Sequence, residues 1–90
     1  MLTPVLSTQF RRDVKRVEKR GKDMSKLRTV LVLLLNATEL PRALRDHPLQ
    51  GDWKGYRELH IEPDWLIIYR VAGDELHLAR TGSHSDLFDD

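Results

Sequence analysis

The sequence predicts an α+β fold, a helical hairpin packed on a small antiparallel sheet in the order β-α-α-β-β-β. Two stretches of helical periodicity stand on either side of Gly21. Three strand-like runs follow between residues 56 and 80, broken by Pro63-Asp64 and by Ala72-Gly73-Asp74. A short apolar run, Thr3-Pro4-Val5-Leu6, opens the chain, and its proline suits a sheet edge.

Ser7 or Thr8 caps the first helix. Phe10, Val14 and Val17 recur at i, i+4, i+7 and give it one buried stripe. Gly21 ends it. Asp23 caps a second helix that runs to Leu35 or Asn36, with Leu27, Val30, Leu31, Leu34 and Leu35 as its apolar face. Only two residues join the helices, so they form a hairpin. Residues 37–52 include Pro41 and Pro48 and read as a loop that is not regular throughout. Tyr56 to Ile61 reads as a strand. Trp65 to Val71 is nearly all apolar and β-branched, hence a central strand. Glu75 to Arg80 alternates, as a half-buried strand does. Thr81 to Phe88 reads as a loop or a short turn of helix.

Ninety residues are expected to make one domain, 1–90. With no cysteine, disulfides, iron–sulfur clusters and thiolate zinc sites are excluded. Arg11 and Arg12 follow too soon after Met1 for a signal peptide, and Val30 to Leu35 is too short to span a bilayer. A soluble cytoplasmic protein without membrane association is expected. The net charge of +1 hides a polarity. Residues 1–50 hold 11 Lys and Arg against 5 Asp and Glu, and residues 51–90 hold 4 against 9. A basic half suits a polyanion such as RNA, or is a solvated helix face.

Of the four histidines, His47, His60 and His84 stand where strand ends and loops meet. Asp64 lies in the turn after His60, and Arg80 lies four residues before His84. Neither His-Glu-x-x-His nor His-x-His spacing is present, so no metal is expected. These residue types suit RNA cleavage by the ribose 2′-hydroxyl, with no cofactor. Imidazoles move protons near neutral pH, and a planar guanidinium holds the phosphate. Trp65 and Phe88 are candidates for stacking on bases. Trp65 also suits the core, and Phe88 also suits a tail anchor. His77 alternates with Leu76 and Leu78 and is left out of the site.

The stretch Asp46-His47-Pro48-Leu49-Gln50-Gly51-Asp52-Trp53-Lys54-Gly55-Tyr56-Arg57 resembles the YafQ branch of the RelE-type toxins. So do His60-Ile61-Glu62-Pro63-Asp64-Trp65 and the tail Arg80-Thr81-Gly82-Ser83-His84-Ser85-Asp86-Leu87-Phe88. The resemblance spans nearly the whole chain. It implies a RelE-like fold and the toxin of a type II toxin–antitoxin pair, which enters the ribosomal A site and cuts mRNA without a metal. The family's histidines fall on His47, His60 and His84, its acid on Asp64, its phosphate-binding arginine on Arg80 and its terminal aromatic on Phe88. The implied partners are the 70S ribosome, mRNA and an antitoxin, in a heterotetramer or larger complex that can bind DNA through the antitoxin. The basic residues then dock on ribosomal RNA: Arg11, Arg12, Lys15, Arg16, Lys19, Arg20, Lys22 and Lys26, with Lys54. The rival reading is a toxin-fold binding module that has lost cleavage. The acidic tail, Asp86, Asp89 and Asp90, departs from the family pattern.

Overall fold

The computed structural model describes residues 1–88; Asp89 and Asp90 lie outside them. The elements are β1 (Thr3–Leu6), α1 (Thr8–Lys19), α2 (Met24–Leu35), β2 (His47–Pro48), β3 (Arg57–Glu62), β4 (Trp65–Ala72), β5 (Glu75–Gly82) and α3 (His84–Phe88). Both helix starts follow the expected capping. Ser7 Oγ accepts from the Phe10 amide at 2.9 Å, and Asp23 Oδ1 accepts from the Ser25 amide at 3.0 Å. At the end of α1, Gly21 takes φ +83°. Its amide donates to Glu18 and that of Lys22 to Val17, the paired bonds of a Schellman motif.

The sheet order is β1-β5-β4-β3-β2. β3, β4 and β5 form the expected antiparallel meander. Two features are not in the sequence reading. β1 pairs with β5 in parallel, because the helical hairpin carries the chain back before the sheet continues. Residues 37–52, not expected to be regular throughout, contain β2, a two-residue strand that pairs His47 with Glu58 and closes the far edge.

β4 explains the architecture. Its residues 65, 67 and 69 join Phe10, Val17, Leu27, Val30 and Leu34 in the main core under the helices. Its residues 66 and 68 join Leu87 in a second cluster on the other face, flanked by Leu49, Trp53, Tyr56, Ala79 and Phe88. A strand buried on both faces has no use for polar alternation, hence its apolar run. Among the described residues, α3 and the loop before β3 cover the second face. It is the face left open for a site. Among the described residues no helix is long and apolar enough to cross a membrane.

Candidate active site on the open face of the sheet

Register decides which side chains meet. Directly opposed residues share a face. Glu58 opposes Ile68, His60 opposes Leu66 and His47 opposes Glu58, so all three lie on the face of the second cluster. Between β4 and β5 the register shifts at Ala79. Ile68 therefore faces Arg80, and the bulge turns this arginine toward the histidines' side of the sheet.

The imidazoles form a row. The ring centroids of His47 and His60 are 6.1 Å apart, and those of His60 and His84 are 5.8 Å apart. Phe88, one helical turn after His84, continues the row at 6.3 Å. At one end, Asp64 Oδ1 accepts from the His84 amide at 2.8 Å and lies 2.6 Å from His84 Nδ1. A carboxylate on Nδ1–H fixes the tautomer and leaves Nε2 for a reacting group. The His84 backbone N–H first, and then its ring, hold the Asp64 carboxyl below the ordinary carboxylate range. At the other end, His47 Nδ1 lies 2.7 Å from the Arg45 carbonyl, to which it must donate. His47 Nε2 is 2.9 Å from Glu58 Oε2. Asp46 anchors this loop, accepting from Arg57 at 2.8 Å and from the Tyr69 hydroxyl.

Glu58 is the member that sequence reasoning missed. It is buried, and Oε2 also lies 3.5 Å from His60 Nε2. Its signal was available: Glu58 and His60 are two apart on one strand and so share a face. Glu58 Oε1 and His60 Nε2 are buried without hydrogen-bond partners. Those orphaned atoms fit a metal as well as a substrate proton. Ligand atoms of His47, Glu58 and His60 lie within 4.8 Å of one another, a nitrogen–nitrogen–oxygen donor set suited to zinc or copper. Spacing along the sequence did not reveal this trio, because β2 and β3 bring it together.

Trp65 is a correction. It is 1% exposed, and its indole Nε1 donates to Thr81 Oγ1 at 3.1 Å inside the core. It cannot stack on a base. Trp65→Ala is expected to destabilise the fold by about 3–5 kcal/mol, read as a lowered midpoint in chemical denaturation. Unchanged stability would return Trp65 to the surface.

Arg80 is less free than expected. Asp13 accepts from its Nε at 2.7 Å and its Nη2 at 3.2 Å, and Nη1 has no partner among the described residues. Four of the basic residues named for docking are also engaged within the chain. Arg16 and Arg20 face Asp86, and Lys22 and Lys26 share Glu62 at 2.9 Å each. Arg11, Arg12, Lys15, Lys19 and Lys54 are exposed.

Known proteins resemble this chain in sequence and share its fold. Residues 2–89 match the family described as "Bacterial toxin of type II toxin-antitoxin system, YafQ". The mRNA interferase toxin YafQ of Escherichia coli (strain K12) is 52% identical over 83 residues, 91% of this chain and 90% of that protein. The E. coli DinJ–YafQ complex contains a chain 47% identical, with TM-score 0.90, covering 98% of this chain and 99% of that one. A metal-bound toxin from Helicobacter pylori is 40% identical, with TM-score 0.91, covering 98% of this chain and 100% of that one. With this match over nearly its full length, the chain belongs to the YafQ family of bacterial type II toxin–antitoxin toxins.

Proposed function

We infer that this protein is an mRNA interferase, the endoribonuclease of its toxin–antitoxin pair, cutting mRNA in the ribosomal A site. The row of His47, His60 and His84, with Arg80 on the same face of the sheet, carries the reading, and the name of its E. coli relative supports it. The 2′-hydroxyl attacks phosphorus as one imidazole takes its proton. The P–O5′ bond breaks, and the departing oxygen takes a proton from a second ring. Arg80 holds the phosphate, with Asp13 orienting its guanidinium. Asp64 orients His84, and Phe88 lies where an unpaired base can stack. The products are a 2′,3′-cyclic phosphate and a 5′-hydroxyl.

The exposed cations Arg11, Arg12, Lys15, Lys19 and Lys54 suit phosphate contacts on ribosomal RNA, which position a protein without reading sequence. The E. coli relative in complex with DinJ supports a cognate antitoxin as the second partner. A metal ion, such as the one bound to the H. pylori relative, would be held here by His47, Glu58 and His60. It would tie up the lone pairs that proton transfer needs.

Purified protein, programmed 70S ribosomes and end-mapping of the mRNA test the reading. Cuts confined to ribosome-bound message, with cyclic-phosphate and 5′-hydroxyl ends, are expected. Products with 5′-phosphates would instead indicate attack by water and overturn the 2′-hydroxyl mechanism. Equal cutting of naked RNA would remove the ribosome from it.

A further inference from the structure

α3 carries both His84 and Phe88, yet it is only five residues long. A helix this short is not stable by itself. Leu87, 7% exposed, anchors it to the second cluster, but one leucine does not set the direction of two side chains. Asp86 does more. Its Oδ2 accepts from the Ser83 amide at 2.9 Å, and Ser83 Oγ accepts from the Asp86 amide at 3.2 Å. This reciprocal pair is a capping box closed around His84.

The same carboxylate reaches α1. Arg20 Nη1 lies 2.6 Å from Oδ2 and Nη2 lies 3.1 Å from Oδ1, a two-bond fork across 66 residues of sequence. Arg16 Nε lies 3.7 Å away. Arg16 Nη2 also donates to Asp13 Oδ1 at 2.7 Å, and Asp13 holds Arg80. One chain of alternating charges thus runs Arg20–Asp86–Arg16–Asp13–Arg80. Gly82 makes room for it: a Cβ there would sit 2.9 Å from Asp86 Oδ2 and 3.2 Å from Arg16 Nη2. Arg20 and then the Ser83 bonds hold the Asp86 carboxyl well below the ordinary range, consistent with a fixed anion.

We propose that Asp86 is a positioning residue for His84 and Phe88, and that Arg20 is its partner in this role rather than a cation that docks on RNA. This rests on the cleavage reading above. It also accounts for an acid beside a site for RNA, since two arginines neutralise it.

The test uses the full chain with programmed ribosomes, separating the single-turnover cleavage rate from the half-saturating ribosome concentration. Nitrogen-15 spectra of the four imidazoles and a denaturation midpoint are recorded alongside. Arg20→Ala and Asp86→Asn are each expected to slow cleavage by roughly tenfold, the scale of one charge-assisted hydrogen bond. Half-saturation stays unchanged, and the His84 ring signals move while those of His77 do not. The double variant is expected to be no slower than the worse single one, and Arg20→Lys to recover part of the rate. A raised half-saturation with an unchanged cleavage rate in Arg20→Ala would make Arg20 a docking cation and overturn the proposal. So would unmoved His84 signals, or strictly additive effects. If Asp86→Asn does not fold, Arg20→Ala carries the test from the exposed end of the pair. A wild-type protein that cuts nothing would sink the cleavage reading instead, and the imidazole spectra would still decide this one.

Discussion

His84→Ala is expected to lower mRNA cleavage by about 10²–10⁴-fold, the usual contribution of one acid–base group. Induction of the variant in cells should then leave growth and message intact. The reason is geometric. His84 ends the row of rings, and its Nδ1 is committed to Asp64, so Nε2 is the nitrogen left to meet substrate. The substitution should barely affect stability, because His84 and Asp64 have side chains 45% and 68% exposed and such pairs contribute little. Loss of activity therefore cannot be mistaken for loss of fold if the denaturation midpoint is unchanged. His77→Ala is the control. Among the described residues the His77 ring bonds to Glu75 alone, at 3.1 Å and outside the row, and toxicity should persist. A His84→Ala protein as toxic as the wild type would show that the site is wrongly assigned.

Asp13→Ala is expected to damage the fold as severely as the loss of Trp65. Asp13 is 0% exposed yet accepts from Gln9, Arg16, Arg80 and the Thr81 amide. Its position explains why. β1 ends at Leu6, opposite Leu78, and past the Ser7 hydroxyl's bond to the Ala79 carbonyl no strand lies beside β5 among the described residues. Asp13 stands in for the missing strand, satisfying the Thr81 amide at 3.1 Å and the Arg80 guanidinium together. Removing it leaves a buried amide and a poorly solvated cation without their partner, a loss of about 3–5 kcal/mol. A small domain has about 5–15 kcal/mol in total. The melting temperature should therefore fall by roughly 12 °C or more, and cleavage should fall with it because Arg80 loses its orientation. A thermal scan that left Asp13→Ala within a few degrees of wild type would refute this account.

The acidic residue itself offered a clue in the sequence. Asp13 falls on the same stripe as Phe10 and Val17, at i+3 and i−4, where a basic helix has no reason to place an acid facing solvent. That its partner would be Arg80 was not legible. The two are 67 residues apart, and their meeting depends on where β1 stops and on the bulge at Ala79. Trp65 shows the same limit. Its strand was evident, but which of its faces lay under the helices depended on the pairing with Thr81's strand.

Local order was within reach of the sequence because it depends on near neighbours. The helical stripes, the caps at Ser7 and Asp23, the turn at Gly21 and the unbroken apolar run of β4 are all short-range patterns. The histidines could be placed at strand ends for the same reason. Tertiary structure alone decided which of their neighbours were charged. Register set Glu58 between His47 and His60, and the return of α1 beside α3 joined Arg20 to Asp86. The physical cause is that strand periodicity specifies a face, whereas a hydrogen bond needs a partner within about 3 Å. Only the packed chain, with its bulge and its short edge strands, supplies that.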